Sequence, residues 1–332
     1  MMRCAVVGGG AWGTALSDLL ARAGHQVTIW AREPDVVAHI NTTHANPRFL
    51  AGVTLDPSVR ASGDLCGVVR DAELVVHAAP SHVLREVVRA AAPGVSRDAI
   101  QAIATKGIEP DSLMLMGDVV SAELPGRPVV AVSGPSFAIE VARRQPTAVV
   151  AASDDAAASA AVQHAFSTPT FRVYTTDDVR GVELAGAVKN VMAVATGIAE
   201  GLGLGLNPRA ALITRGLAET TRLGVALGAR QETFAGLAGL GDLVLTCTGA
   251  LSRNRAVGVE VGKGRALHDV LAGTETIAEG VRNARSTVAL AGQAGVTMPI
   301  AEAVYRVLFE SQPPDEAIAE LMQRELRAER DE

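Results

Sequence analysis

The sequence contains few cysteines and few aromatic residues. Its three cysteines, Cys4, Cys66 and Cys247, are widely spaced and form no CxxC pair. This pattern argues against a disulfide framework or a zinc site and favours reduced thiols in the cytoplasm, with Cys247 as a small buried side chain. The seven histidines show no metal-ligand spacing, so no metal is expected. Aromatic residues make up only 3% of the chain, which suits tight helix packing more than a sandwich core.

The sequence also lacks an excess of positive charge and long apolar runs. Its formal net charge of −6 argues against binding to nucleic acid or to anionic membranes, so an anionic ligand would need a local basic pocket. No run of about 18 or more uncharged apolar residues occurs, so no transmembrane helix is expected. The first apolar run begins within a few residues of Met1, which leaves no room for a signal peptide. A length of 332 residues exceeds what one core usually takes and predicts two domains.

Short apolar runs alternate with helix-like stretches in the first half of the chain. Continuous apolar strands joined by helical crossovers form parallel sheets covered on both faces, so we expect a doubly wound α/β domain over residues 1–178. Residues 41–57 read as an irregular loop. The predicted strands are 3–7, 26–30, 74–78, 99–104, 129–132, 147–152 and 171–174.

The strand pattern stops at about residue 178. The rest of the chain predicts an all-helical domain over residues 179–332, with an amphipathic last helix. The predicted helices are 182–200, 208–227, 256–262, 267–271, 279–294, 300–309 and 315–327.

The most informative motif follows the first predicted strand. Residues 5–16 read AVVGGGAWGTAL, in which Gly8, Gly10 and Gly13 form a GxGxxG pattern between a strand and a helix. The first glycine allows a tight turn, the second lets the backbone approach a pyrophosphate, and the third lets the helix pack on the strand. Because a second strand follows, this context favours dinucleotide binding over a glycine-rich turn without a ligand.

The end of the second predicted strand bears on the choice of dinucleotide. An Asp or Glu there would accept a hydrogen bond from the ribose 2′-hydroxyl of NAD, whereas Arg32 suits the 2′-phosphate of NADP. The adjacent Glu33 favours NAD if the turn presents it instead, and a solvated surface charge is a third interpretation of Arg32. The fingerprint rule favours NADP(H), with NAD(H) as the alternative.

Three polar motifs follow predicted strands, at residues 78–82, 104–107 and 132–138. Ligands of open α/β sheets bind beyond the carboxyl ends of the strands, which is where these motifs should lie. Lys106 stands directly at a strand end before a glycine. Its position favours a functional role over that of a surface loop lysine.

Lys189 is the single charge between residues 184 and 199 of a predicted helix. A helix that is apolar all round is buried, and an unpaired buried ammonium group is costly, so Lys189 should face a cleft with a polar or negative partner. Burial would lower the pKa of this lysine and suit it to general acid and base chemistry. The alternative is a lysine whose stem snorkels to the surface.

Two further polar groups occur between residues 239 and 255. Asp242 lies between glycines and an apolar run, where its carboxylate could orient a lysine. Ser252 and Asn254 could cap the following helix, and Arg253 would offer a guanidinium fork to a phosphate at the positive helix end. A plain capped turn with solvated charges explains residues 252–255 equally well.

Taken together, these motifs resemble the bacterial NAD(P)-dependent glycerol-3-phosphate dehydrogenase family. They follow in family order and spacing from the first strand to beyond Glu279, and the residues WGT at 12–14 and SRNR at 252–255 are far more specific than the glycines. The resemblance implies a Rossmann-type domain followed by an all-α domain of the 6-phosphogluconate dehydrogenase C-terminal type. It also implies reversible reduction of dihydroxyacetone phosphate to sn-glycerol 3-phosphate for phospholipid synthesis, commonly by a homodimer.

The resemblance also implies roles for individual residues. Lys189 would donate a proton to the carbonyl oxygen and act as the base in reverse, with Asp242 orienting it. Lys106 would contact both substrate and cofactor. The other substrate-binding residues would be Gly134, Ser136, Asn190, Thr246, Ser252, Arg253 and Asn254. The cofactor-binding residues would be Gly8, Gly10, Ala11, Trp12, Gly13, Arg32, Ala138, Arg253, Ile277 and Glu279.

Two other functions stay open at this point. One is a dehydrogenase on the same scaffold for a 3-hydroxy acid or a ketopantoate-like substrate, whose ligands end in carboxylates. The other is a nucleotide sensor without catalysis, against which Lys189 and Asp242 argue because a sensor needs neither. The sequence departs from the family pattern at Glu33, where many relatives carry a second basic or a neutral residue, and this bears on the cofactor rather than on the chemistry.

Overall fold

An eight-stranded sheet organises the first half of the chain. The computed structural model describes residues 1–272, 278–326 and 328–329. The strands follow the spatial order β3-β2-β1-β4-β5-β6-β7-β8. They are β1 Arg3–Val7, β2 Gln26–Trp30, β3 Arg60–Ser62, β4 Leu74–His77, β5 Ile100–Ile103, β6 Val129–Ser133, β7 Thr147–Ala152 and β8 Phe171–Thr176.

The seven predicted strands are all present, and the structure adds one. Strand β3 has only three residues and no apolar run, and it forms because it pairs with β2 at the sheet edge. The sheet is parallel as predicted except at one pair, since β6 and β7 are antiparallel. The chain between them turns back at the carboxyl edge of β6 instead of crossing to the opposite edge, which a parallel partner would require.

Helices cover both faces of the sheet, as the apolar strands predicted. Leu16 and Phe166 pack on one face, and Val88 and Val119 pack on the other. The helices of this half are α1 Ala11–Arg22, α2 Pro34–Thr43, α3 Leu65–Val69, α4 Leu84–Ala91, α5 Met116–Glu123, α6 Ala138–Ala142 and α7 Ala156–Phe166, with short 3₁₀ turns at Ser81–Val83 and Ala92–Gly94.

The second half of the described chain is helical. A single π-helical turn, Leu237–Gly241, runs directly into α11. The helices are α8 Val179–Gly201, α9 Leu206–Ala226, α10 Gln231–Ala235, α11 Asp242–Thr248, α12 Arg253–Gly262, α13 Leu267–Ala272, α14 Glu279–Gln293, α15 Pro299–Phe309 and α16 Pro314–Met322.

Several predicted element boundaries differ from the structure. Residues 41–43 of the predicted loop belong to the end of α2. Helices α10 and α11 were not predicted, because each is short and is flanked by polar or glycine residues. The last helix ends at Met322 instead of residue 327, which lies outside the described residues.

Helix α8 is the centre of the helical half. Asp178 caps its start by accepting a hydrogen bond from the Gly181 amide at 3.0 Å. Gly197 and Gly258 allow α8 and α12 to approach at the level of their backbones, since a methyl group on Gly197 would lie 3.0 Å from the Gly258 Cα atom. By length and composition α8 could cross a membrane, but 94% of its most apolar window is buried inside the structure, which is the place of a core helix.

Candidate active site

The glycine motif forms a tight turn between β1 and α1. Gly8 has a φ of +129°, and a Cβ atom there would lie 2.7 Å from the Ala78 carbonyl carbon. A Cβ atom on Gly13 would collide with the Gly8 carbonyl oxygen, so the helix can pack this closely only without a side chain. Helix α1 starts at Ala11 with no acidic residue in its first turn. Its free amide groups and positive dipole end therefore suit an anionic ligand such as a pyrophosphate.

Asn46 supports the glycine turn from a segment that sequence reasoning treated as an irregular loop. The side chain is fully buried, and its amide donates to the Gly9 carbonyl at 2.9 Å and to the Thr14 hydroxyl at 2.8 Å. Its Oδ1 atom accepts from the Phe49 amide at 3.2 Å. No pattern in the sequence singles out Asn46, because its partners lie more than 30 residues away.

Trp12 and Ala138 are packed, half-buried, against the same apolar cluster beside the glycine turn. Ala138 is the first residue of α6, which the antiparallel turn after β6 places at this edge. The Trp12 Nε1 atom is buried and has no hydrogen-bond partner within the described residues. A cofactor is the kind of ligand that could accept from this donor.

Arg32 lies at the end of β2 and pairs with its neighbour. Its side chain is 81% exposed, and its Nη2 atom lies 3.1 Å from the Glu33 carboxylate, which is largely covered. Arg32, which suits a 2′-phosphate, and Glu33, which suits a ribose hydroxyl, therefore lie side by side. Any ligand phosphate that approaches Arg32 must compete with the Glu33 carboxylate for the guanidinium group.

Lys189, Asp242 and Thr246 form the buried centre of the site. Lys189 lies on α8, and the other two lie one turn apart on α11, which begins at Asp242. The Lys189 ammonium group donates to Asp242 Oδ1 at 2.6 Å and to Thr246 Oγ1 at 2.9 Å. An ammonium group has three donors, so one remains for a substrate atom.

Lys106 shares the same carboxylate from the sheet side. It follows β5, and its ammonium group donates to Asp242 Oδ2 at 2.6 Å and, at 3.4 Å, to the Gly134 carbonyl. The Ser136 hydroxyl donates to that same carbonyl at 2.9 Å. The ends of β5 and β6 are thereby joined to α8 and α11 at one carboxylate.

Burial and charge set the protonation of this cluster. Burial lowers the pKa of Lys189 to about 8, with Asp242 opposing the shift and Lys106 adding to it. Burial would raise the pKa of Asp242, but the two ammonium groups outweigh it and hold that pKa below its usual value. At neutral pH the site therefore holds two ammonium groups around one carboxylate. Because the pKa of Lys189 is about 8, a small rise in pH is enough to remove its proton.

The start of α12 lies against Asn190, the residue that follows Lys189 on α8. Asn254 donates to Asn190 Oδ1 at 2.8 Å and accepts from the Gly280 amide at 2.9 Å. Ser252 caps the helix by accepting from the Arg255 amide at 3.3 Å. Arg253 is exposed in the first turn, so a guanidinium group and a positive helix end occupy one place.

Glu279 links the helical half to the sheet edge. Its carboxylate accepts from the Ser81 amide at 3.2 Å and from the Ser81 hydroxyl at 2.5 Å, just beyond the end of β4. Burial raises the pKa of Glu279, while Ser81, Arg282 and Arg253 act in the opposite direction. Ile277 lies outside the described residues.

The predicted residues thus fall into connected groups along the carboxyl edge of the sheet. Hydrogen bonds join Lys106, Gly134, Ser136, Lys189, Asp242 and Thr246, and a second set joins Asn190 and Asn254. Arg32 stands apart at the outer end of β2, with Glu33 as its partner. Sequence reasoning missed Asn46, the Ser81 to Glu279 contact and Glu183, which accepts from the Gly117 amide at 2.7 Å.

Comparison with known proteins shows the family of this chain. The family model for the NAD-dependent glycerol-3-phosphate dehydrogenase N-terminus matches residues 3–159, and the model for its C-terminus matches residues 178–319. The glycerol-3-phosphate dehydrogenase of Geobacter sulfurreducens, named for NAD(P)+, is 53% identical over 331 residues, 99% of each chain.

Solved structures give the same result. Glycerol-3-phosphate dehydrogenase from Coxiella burnetii is 40% identical, with a TM-score of 0.94 over 97% of this chain and 99% of that chain. The enzyme of Saccharomyces cerevisiae is 27% identical, with a TM-score of 0.83 over 97% of this chain and 99% of that one. The chain therefore belongs to the NAD-dependent glycerol-3-phosphate dehydrogenase family, whose members are NAD(P)-dependent oxidoreductases that interconvert dihydroxyacetone phosphate and sn-glycerol 3-phosphate.

Proposed function

We propose that Lys189 is the catalytic acid of dihydroxyacetone phosphate reduction in this protein and the base of the reverse reaction. The observation that carries this is the buried Lys189 ammonium group, which donates to Asp242 and Thr246 and has no third partner among the described residues. A donor fixed in this way stabilises the negative charge that develops on a carbonyl oxygen and then transfers its proton to that oxygen.

Asp242 orients both lysines without taking the proton. Its depressed pKa keeps it ionised, so it compensates one of the two ammonium charges and holds Lys189 in a single direction. Lys106, the more exposed of the two lysines, contacts the substrate and the cofactor from the sheet side. Gly134, Ser136, Asn190 and Thr246 shape the pocket around the reacting carbon.

The residues of the glycine turn fit a dinucleotide. Gly8, Gly10, Ala11 and Gly13 form the turn and the first turn of α1, and Gly8 and Gly13 leave no room for a side chain. Beside Ala138, the Trp12 indole N–H has no partner within the described residues and is available to the cofactor. Glu279 and Arg253 complete this side, and the family role of Ile277 is part of the same proposal. When bound, the nicotinamide supplies the hydride, and the chain's own residues position the ketone and provide the proton.

The substrate phosphate binds at the start of α12. Ser252, Arg253 and Asn254 bring a capped helix N-terminus and a guanidinium group together, and the net charge of the central cluster is also positive. A carboxylate carries less negative charge and fewer acceptor oxygens than a phosphate, so a carboxylate-ended substrate would make fewer contacts with this site.

Cofactor preference, assembly and location extend the proposal. Exposed Arg32 supports preference for NADP(H), and its pairing with Glu33 supports retained use of NAD(H). A homodimer is proposed through the helical half, where Leu206 and Val225 are exposed, and the free cysteines fit a cytoplasmic protein. The helical half, residues 179–332, acts as the substrate domain, and residues 1–178 as the dinucleotide domain.

The first experiment tests the phosphate of the substrate. We expect NADPH oxidation to depend on dihydroxyacetone phosphate and to be weak with dihydroxyacetone, because the binding energy of the phosphate is used at the reacting carbon. Absorbance at the nicotinamide band measures both rates, with a ketopantoate-type acid as a third substrate. Equal efficiency on the unphosphorylated ketone would contradict the phosphate site.

Replacing Lys189 tests the proton donor. Lys189→Ala should lower kcat by about 10²- to 10⁴-fold, the range for loss of a general acid, with little change in cofactor affinity. Lys263→Ala, which removes an exposed lysine paired with Glu260, serves as the control and should leave kcat unchanged. A Lys189→Ala enzyme with near-normal kcat would make this lysine structural.

The pH dependence follows from the pKa of about 8 for Lys189. Reduction uses the charged lysine, so its rate should fall as pH rises through about 8, whereas oxidation uses the neutral lysine and should rise through the same range. Initial rates in both directions between pH 6 and 10, an interval of about two pH units on each side, measure the two limbs. Parallel limbs in the two directions would contradict the assignment.

Arg32 and Glu33 are tested as a pair. Arg32→Ala should weaken NADPH binding by roughly ten- to a hundredfold more than NADH binding, because a charged hydrogen bond to phosphate is lost. Glu33→Ala should act oppositely by releasing Arg32 from its partner. Dissociation constants for both cofactors measure the ratio. If both cofactors weaken equally in Arg32→Ala, the 2′-phosphate is recognised elsewhere.

A further inference from the structure

A small cavity lies behind Lys106, between the carboxyl ends of β5 and β6 and helix α8. Lys106, Ser133, Glu183 and Gly186 contribute to its wall. The enclosed space has room for about one water molecule. Neither Lys189 nor Asp242 lines this cavity, and none of the functions proposed above uses it.

Ser133 gives this cavity an unsatisfied polar atom. The residue is 5% exposed, and its hydroxyl is buried without a hydrogen-bond partner within the described residues. Buried hydroxyl groups are satisfied by protein atoms or by ordered water, and leaving one unpaired costs about 1–3 kcal/mol. A water molecule in the cavity is therefore the natural partner of Ser133.

Glu183 is the second polar group at the cavity. It lies on α8 three residues before Gly186, which places the two on one face of the helix. One carboxyl oxygen accepts from the Gly117 amide at the start of α5, at 2.7 Å. Burial raises the pKa of Glu183 to about 8, Asp118 on α5 adds to the shift, and the Gly117 amide and Arg180 on α8 oppose it.

A neutral Glu183 has a hydroxyl proton to donate to water. The neutral form also does not disturb the ion pair between Lys106 and Asp242. An ionised Glu183 would be a second carboxylate at this cavity and would compete for the Lys106 ammonium group. The acid form is therefore compatible with the central cluster.

The cavity is joined to Lys106 through the end of β6. Ser133 is followed by Gly134, whose carbonyl accepts from the Lys106 ammonium group at 3.4 Å. A methyl group on Gly186 would lie 3.0 Å from the Ser133 hydroxyl and 3.5 Å from Lys106 Cδ. The strand end, the helix and the lysine stem thus meet with little free space.

We propose that Glu183 is a positioning residue for Lys106. Through one water molecule shared with Ser133, its carboxyl group fixes the end of β6 against α8 and so keeps Lys106 between the Gly134 carbonyl and Asp242. This inference rests on the proposed function, because its readout is turnover of dihydroxyacetone phosphate.

A double-mutant cycle with Lys106→Ala tests the proposal. Glu183→Ala should lower kcat/KM for dihydroxyacetone phosphate by about tenfold in the wild-type background and by less than about twofold in Lys106→Ala, because coupled residues are non-additive. Glu183→Gln, which keeps a neutral hydrogen-bonding group, should restore most of the loss. A residue that only holds α5 to α8 would give the same loss in both backgrounds, and that result overturns the proposal.

Glu219 provides a matched control. Its carboxyl group likewise accepts from a helix-start amide, that of Ile300 at 2.9 Å at the start of α15, and burial raises its pKa to about 7. Glu219→Ala should lower Tm, and its effect on kcat/KM should be the same with and without Lys106. If Glu219→Ala were coupled to Lys106→Ala as strongly as Glu183→Ala is, the double-mutant cycle would be reporting a general loss of rigidity. That result would contradict a specific role of Glu183.

Ser133→Ala keeps the proposal testable if Glu183→Ala does not fold. It removes the other partner of the water and should also lower kcat/KM severalfold only when Lys106 is present. Unchanged kcat/KM in Ser133→Ala overturns the shared water. An inactive wild-type protein would count against the proposed function itself, whereas an active wild type without coupling counts only against the role of Glu183.

Discussion

The carboxylate of Asp242 is the interaction on which the rest of the site depends. It is 1% exposed and holds the Lys106 and Lys189 ammonium groups, each at 2.6 Å. A buried ion is tolerated only with close partners, and removing one partner leaves an uncompensated charge. Because Lys106 comes from the sheet and Lys189 from α8, this one carboxylate joins the two halves of the chain at the candidate active site.

Helix α8 places the other residues of the candidate site around this carboxylate. One face carries Glu183, Gly186 and Asn190 towards the ends of the strands and the start of α12, at the spacing of successive helical turns. Another face packs glycine on glycine against α12, which brings Ser252, Arg253 and Asn254 within reach of Lys189's neighbour. The close approach of α8 and α12 therefore sets both the packing of the core and the place of the proposed phosphate site.

The sheet could be predicted from the sequence because its signals are local. Seven apolar runs became strands, and the GxGxxG pattern became the turn between β1 and α1. Strand β3 and the antiparallel β6–β7 pair were not predictable in this way, since neither has a local signature and both depend on which neighbour the strand meets. Asn46 and Glu183 were missed for a related reason: each acts on backbone groups of distant elements.

The sequence by itself determined that a lone lysine in an apolar helix must find a polar partner, since an unpaired buried ammonium group is costly. It also determined the anion-binding turn, because that turn lies within about ten consecutive residues. Only the tertiary structure decided that the Asp242 carboxylate binds both lysines. Along the chain, Asp242 lies 53 residues from Lys189 and 136 residues from Lys106. Contacts across such separations follow from how whole elements pack, and so does the burial that brings the pKa of Lys189 to about 8.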